Sequence, residues 1–203
     1  MSELFDELMH IFGNRKIADN SKSTVFNSNW KQCVTCGRKP VELAILNKHD
    51  EILCCIHRHH DHTEEYLWEL CDKLDCNATW LLEGGRQGPP DPGWNRWLTS
   101  LGELIVRFQE TAICSFCNEA EGKAKKIIGT HKHFSFSPYE MALFIDAPEP
   151  GPVIINKQKA MEIWDSQREN VEYRKKLADR IIQLAFDGKI GMIDVPLLSK
   201  QHA

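Results

Sequence analysis

Residues 30–62 read WKQCVTCGRKPVELAILNKHDEILCCIHRHHDH, and the fold turns on how this stretch is interpreted. Cys33-Val-Thr-Cys36-Gly37 has the spacing of a zinc knuckle: two thiols two residues apart, then a glycine that lets backbone N–H groups turn toward the sulfurs. Val41 to Leu46, the polar turn Asn47-Lys48-His49-Asp50 and Glu51 to Cys55 form a predicted β-hairpin. Cys54, Cys55 and His57 follow it, and Tyr66, Leu67, Leu70 and Leu74 mark an amphipathic helix beyond. The spacing C-x2-C-x17-C-x2-H offers Cys33, Cys36, Cys54 and His57 as four ligands suited to tetrahedral Zn²⁺. Knuckle, hairpin and two ligands at a helix start make a treble-clef-like or zinc-ribbon-like module. The competing reading, buried free thiols, leaves the shared spacing and the glycine without a reason.

Outward from this stretch, the chain has 203 residues, 42% of them hydrophobic and 27% charged, which fits a globular protein rather than a disordered one. Eight cysteines in clusters, two of them C-x2-C pairs, favour metal ligation in a reducing compartment over a disulfide scaffold. The opening MSELFDELMHIFG is acidic and amphipathic rather than a signal peptide, so a cytoplasmic protein without membrane contact is expected. A net charge of −4 argues against wrapping DNA by bulk electrostatics, although a local basic face is compatible with it.

The expected class is α+β, mainly helical. Leu4, Phe5, Leu8, Ile11 and Phe12 make one stripe of an N-terminal helix that Gly13 ends, within a first segment 1–29. Segment 30–83 carries the knuckle, hairpin and helix, with Cys71 and Cys76 as core thiols. The histidines from His57 to His62 are dense, yet no paired carboxylate motif accompanies them, so a solvated role is favoured over catalysis. Segment 84–93, GGRQGPPDPG, is a loop. Its Arg86 and Gln87, with Asn95 and Arg96 beyond, can hydrogen-bond base edges, unless it is an ordinary linker. Pro92 or Gly93 opens the next helix.

In segment 94–147, Cys114-Ser-Phe-Cys117-Asn118 is a second knuckle, with Asn118 standing where Gly37 stands in the first. A hairpin and then a helix from Pro138 are expected after it, which makes this a degenerate second copy of the module. Its distal pair is missing, since Phe134 to Ser137 occupy the equivalent place. Two arrangements therefore stay open. Either Cys33, Cys36, Cys114 and Cys117 share one zinc, or there are two sites, the second using His131 and His133 with Cys114 and Cys117. Lys123, Lys125, Lys126 and Lys132, with Arg107 and the interleaved Phe134 and Phe136, form the candidate nucleic-acid surface. Segment 148–203 is a helical region capped at Asn156, reaching Phe186 and interrupted near Ser166 to Asn170.

CSFCNEAEGKAKKIIG, like CVTCGRKPVELAIL followed by C-C-x-H, resembles the N-terminal zinc-binding domain of the ClpX unfoldase. That resemblance implies a zinc module for dimerisation or adaptor binding. The wider layout, a short chain with C-x-x-C zinc arms and terminal helices, is similar to the compact large subunit of type IV CRISPR effector complexes. That likeness implies a cytoplasmic, non-catalytic subunit of a ribonucleoprotein in antiviral defence, with other subunits, guide RNA and target DNA as partners. Arg86, Gln87, Asn95, Arg96 and the lysines would then meet DNA. No Ser/His/Asp set, P-loop or dinucleotide fingerprint is present, which also argues against an enzyme. The remaining alternative is a metal-dependent hydrolase built on His57 to His62, for which no general base is evident.

Overall fold

The computed structural model describes residues 3–18, 30–73, 92–147 and 153–186. They form an α+β protein in two compact units. The first comprises Met1–His60, Glu110–Thr130 and Phe136–Ile163; the second comprises Asp61–Gln109, His131–Ser135 and Trp164–Ala203.

The first unit begins with helix α1 (Glu3–Phe12), ended at Gly13, whose positive φ of 70° suits a residue without Cβ. Leu8 is buried against Ile17 and Ile52, flanked by Leu4, Phe5, Met9 and Phe12, while Ile11 points out at 56% exposure. The hairpin is shorter than expected: Val41–Leu43, the first half of the expected strand, lies in a one-turn helix α2 (Pro40–Leu43) started by its proline, and only β1 (Ala44–Leu46) and β2 (Ile52–Cys54) pair, antiparallel with Leu46 opposite Ile52. Its turn is fixed by the Asn47 side chain, which accepts from the backbone N–H of His49 (2.8 Å) and of Glu51 (3.0 Å). Asp50 takes the left-handed conformation there, at φ 59°.

Beyond β2 the structure departs from expectation. Cys54, Cys55 and His57 do not start a helix. Ile56–His59 is a strand, β3, paired antiparallel with β4 (Thr111–Cys114), so that Ile56 faces Cys114 and His59 faces Thr111. The partner strand lies more than fifty residues on in sequence, out of reach of any local pattern. Nor is the second knuckle followed by a hairpin: Ser115–Ile128 is one helix, α5 in chain order, closed by Gly129 at φ 70°. EAEGKAKKII is rich in strong helix formers and places Ala120 and Ala124 on a buried face, which outweighs the likeness to the first copy. Residues 114–137 therefore form no second hairpin module. Helix α6 (Pro138–Phe144) does start at the predicted proline, with a Ser137/Glu140 capping box, and runs into the short ladder β5 (Ile145–Asp146) with β6 (Ile154–Ile155).

The second unit contains α3 (Thr63–Lys73), α4 (Pro92–Ile105) and most of α7 (Lys157–Phe186). Helix α4 opens at Pro92 as its sequence indicates, and Leu101 and Ile105 are fully buried. Helix α7 is capped by Asn156, which accepts from Lys159 N–H at 3.1 Å, and runs through Ser166 to Asn170 without the expected interruption. Its Arg174 donates to the carbonyls of Ile105 (3.0 Å) and Val106 (2.9 Å), closing the C-terminus of α4. Asp61, 1% exposed, accepts from Arg107 N–H (2.6 Å), Thr63 N–H (3.2 Å) and the Thr63 hydroxyl (3.0 Å). Arg107 donates in turn to the Ser135 carbonyl at 2.7 Å. Among the described residues no helix is long and apolar enough to cross a membrane.

Removing the Asp61 carboxylate takes the acceptor from the backbone N–H groups of Thr63 and Arg107, while the Thr63 hydroxyl keeps the His133 carbonyl at 3.3 Å. Asp61→Ala is expected to lower stability by about 2–4 kcal/mol in zinc-saturated buffer, measured by chemical denaturation. The same change at exposed Asp146 is expected to cost less than about 0.5 kcal/mol.

Candidate metal centre

The loop before α2 is shaped by its own backbone. Cys33 N–H donates to Arg38 O (2.9 Å) and Gly37 N–H to Cys33 O (2.8 Å), with Gly37 at φ 76°. This folds Cys33 and Cys36 onto one side of a tight turn. The second pair comes from the other end of the unit: Cys114 is the last residue of β4 and the N-cap of α5, and Cys117 lies in the first turn of that helix. Pairing of β3 with β4 and the start of α5 carry these two thiols to the knuckle.

Ligand atoms of Cys33, Cys36, Cys114 and Cys117 all lie within 4.8 Å of one another. Two of the separations are 3.9 Å (Cys33 Sγ to Cys117 Sγ) and 3.7 Å (Cys36 Sγ to Cys114 Sγ). A tetrahedron of sulfurs about 2.3 Å from a central Zn²⁺ has edges of about 3.8 Å, so the spacing fits. It is far too long for a disulfide, and all four are free thiols. Cys33, Cys114 and Cys117 are fully buried and Cys36 is partly so. Four soft donors of this kind, three of them fully buried, can hold a tetrahedral metal ion and leave no coordination position for a substrate.

The surroundings favour negative sulfur. Cys114 N–H points at Cys33 Sγ at 3.4 Å, and the N-terminal end of α5 presents its positive dipole to the second pair. Hydrogen bonds from Cys114 first, then from Cys117 and Cys36, hold the Cys33 thiol well below its ordinary range. Cys36 is lowered to about 7, again chiefly through Cys114. Cys117 is pushed up, mainly because its proton serves Cys114 and Cys33. The cluster thus shares protons unequally, and a cation that replaces them removes the conflict. Beside it Arg38, 5% exposed, lies 5.2 Å over the ring of Phe116, the residue preceding Cys117.

The other predicted ligands stand apart. Cys54 donates to Pro40 O at 3.5 Å, and burial, with Cys55 beside it, pushes its thiol up to about 12, the behaviour of a packed core thiol. His57 is exposed on β3 opposite Ile113, one register position away from the pair formed by Ile56 and Cys114. His131 and His133 belong to the second unit, where His133 Nε2 lies 3.3 Å from Glu69 and His131 Nε2 lies 3.3 Å from Lys175 Nζ. Of the two arrangements left open by the sequence, the fold assembles the shared four-cysteine one. Of the histidines beyond His57, His59 is buried with Nε2 2.7 Å from Phe136 O and His62 Nδ1 lies 3.7 Å from Glu65, while ligand atoms of His60, His62 and Glu65 all lie within 4.8 Å of one another.

The basic-aromatic surface does not form as expected. Phe134 and Phe136 are fully buried, packed on Trp164 (4.7 Å) and Phe144 (4.8 Å) respectively, and offer no face to a base. Lys132 is held by Glu69 at 2.6 Å, and Lys125 lies largely buried 3.7 Å from Glu121. Lys123 and Lys126 remain exposed on α5, Lys123 with Glu119 at 3.8 Å. Arg86 and Gln87 lie outside the described residues, as do the side chains of Asn95 and Arg96. No family model, curated protein or solved structure matches the chain.

One zinc ion per chain is the expected stoichiometry by elemental analysis. Cys33→Ser and Cys114→Ser should each abolish binding and unfold the first unit by circular dichroism, whereas Cys54→Ser and His57→Ala should retain the ion. Because binding needs thiolates, stability from the metal is present near neutral pH and lost on acidification, as protons displace it. Zinc release to a chromogenic chelator and the loss of helical signal should then share one midpoint.

Proposed function

We propose that this chain is a non-catalytic, zinc-stabilised subunit of an RNA-guided DNA-binding assembly of the type IV CRISPR kind. The observation that carries the non-catalytic part is the closed four-cysteine cluster, whose ligand set fills a tetrahedral ion's sphere and leaves it a structural task. The finer fold reading rests on the order of parts. A knuckle at Cys33–Cys36, a hairpin β1–β2, a second ladder β3–β4 and a helix whose N-terminus bears the other ligand pair follow the treble-clef sequence, with residues 61–109 inserted between β3 and β4. The resemblance of the cysteine-bearing segments to a protein-interaction zinc module and the short overall layout support action through surfaces. Of the lysines expected to contact nucleic acid, Lys123 and Lys126 are exposed on α5 and suit phosphate contact.

The reading is tested by purifying the tagged chain from its native host with and without nuclease, then sequencing RNA and identifying proteins by mass spectrometry. A discrete small RNA with several partner subunits, lost after nuclease treatment, is expected. A nuclease-insensitive complex with a single protein and no RNA would overturn it in favour of a zinc adaptor.

A further inference from the structure

The first unit also holds an open groove of about 690 Å³ that the metal centre does not use, lined by Leu4 and Glu7 of α1, Val41 of α2, and Trp30, Lys31 and Lys39 on either side of the knuckle. Its volume is in the range of ligand and peptide-side-chain sites. The indole N–H of Trp30 donates to Ala112 O of β4 at 3.2 Å, which pins one edge of the ring and fixes that wall. Lys39 is set by its backbone N–H, which donates to the Glu42 carboxylate at 2.7 Å and engages that acid at the start of α2. Lys31 and Lys39 are exposed, and neither forms an ion pair with a described residue. In a chain with 29 acidic and 25 basic side chains, two uncovered cations above an aliphatic floor form a specific pattern of complementarity.

Two occupants compete on chemistry. A nucleic-acid strand asks for an unbroken cationic lining and successive stacking faces; here Glu7 would meet its phosphates, and Trp30 is the single aromatic of the lining, beside aliphatic Leu4 and Val41. An extended peptide suits all of the lining. An apolar side chain fills the floor between Leu4, Val41 and Trp30, flanking carboxylates reach Lys31 and Lys39, and Glu7 accepts a backbone N–H. We propose that this groove binds a short segment of a partner protein in which one apolar anchor is flanked by acidic residues. The inference goes beyond the subunit reading and does not depend on it.

The test uses the full, zinc-loaded chain and fluorescence anisotropy with a labelled octapeptide bearing a central leucine between aspartates. Comparison probes replace the leucine by serine or the aspartates by lysines, and a labelled octauridylate stands for nucleic acid. The acidic leucine peptide is expected to bind. Lys31→Glu with Lys39→Glu should weaken it at least about ten-fold, while Lys123→Glu with Lys126→Glu leaves it unchanged, all variants retaining zinc and helical signal. The proposal is overturned if the acidic leucine peptide does not bind, or if the serine peptide or the Lys31/Lys39 variant binds equally well. Loss of octauridylate binding alone in that variant would assign the groove to nucleic acid instead. None of these outcomes bears on whether a small RNA co-purifies with the chain, so failure here is separable from failure of the subunit reading.

Discussion

Four sulfur atoms hold two short segments together that are almost eighty residues apart, with Cys36 and Cys114 separated by 78 positions. Clamping ends that far apart removes loop entropy from the unfolded chain, worth about 4–5 kcal/mol for a cross-link of this span. The clamp is made at places with little freedom of their own. One is a turn closed by Gly37 and Arg38; the other is the first turn of α5, whose exposed N–H groups already favour negative charge. Without a cation the same geometry gathers four buried thiols that compete for protons. A metal ion at this cluster would add to the β3–β4 pairing that already brings β4 and α5 to the knuckle, beside a core that includes Ala120 and Ala124 on α5.

The long excursion between the two ligand pairs is tolerated because of how the second ladder ends. His59 stands opposite Thr111, so the chain leaves β3 and returns to β4 at one end of the pair, the kind of place where an insertion does least damage. Inside the second unit the departing and returning strands of chain are joined almost at once: Asp61 accepts from Arg107 N–H at 2.6 Å. Arg107 then ties Ser135, and Arg174 of α7 ties the carbonyls just before Arg107. A buried carboxylate in this place is costly unless its oxygens are saturated, and three donors meet that demand. Hydrogen bonds thus close the neck of the insertion.

What the sequence revealed and what it hid divide along sequence distance. The hairpin β1–β2, the stops at Gly13 and Gly37, the helix starts at Pro92 and Pro138 and the cap at Asn156 all rest on contacts within a few residues, and each was legible. The β3–β4 ladder was not, because Ile56-His-Arg-His59 carries no strong alternation and its partner is remote. The likeness between the two C-x2-C segments misled for a related reason. Gly37 permits a positive φ, whereas Asn118 sits inside a regular helix, so identical ligand spacing serves a turn in one case and a helix N-terminus in the other. Ligand spacing identified which thiols were candidates, but only the fold could choose between Cys54 and Cys114 as partners of the knuckle.

Charge was the least legible property, since a lysine's meaning depends on what stands opposite it. Lys125 and Lys132, adjacent in sequence to the cysteines, are consumed by Glu121 and Glu69, carboxylates that come from the next helical turn and from a distant helix. Phe134 and Phe136, which read as stacking platforms, are the fully buried hubs about which ring contacts gather. The Phe136 backbone is itself held, its carbonyl 2.7 Å from His59 Nε2 and its N–H donating to Glu121 at 3.4 Å. Glu121 thus serves a backbone donor and Lys125 together, from the same helix that carries Cys117. Of the residues that read as a basic-aromatic surface, Phe136 is instead tied to α5 through Glu121 and packed on Phe144 of α6. The positions of the cations that such carboxylates leave uncovered say more about recognition than the total charge does.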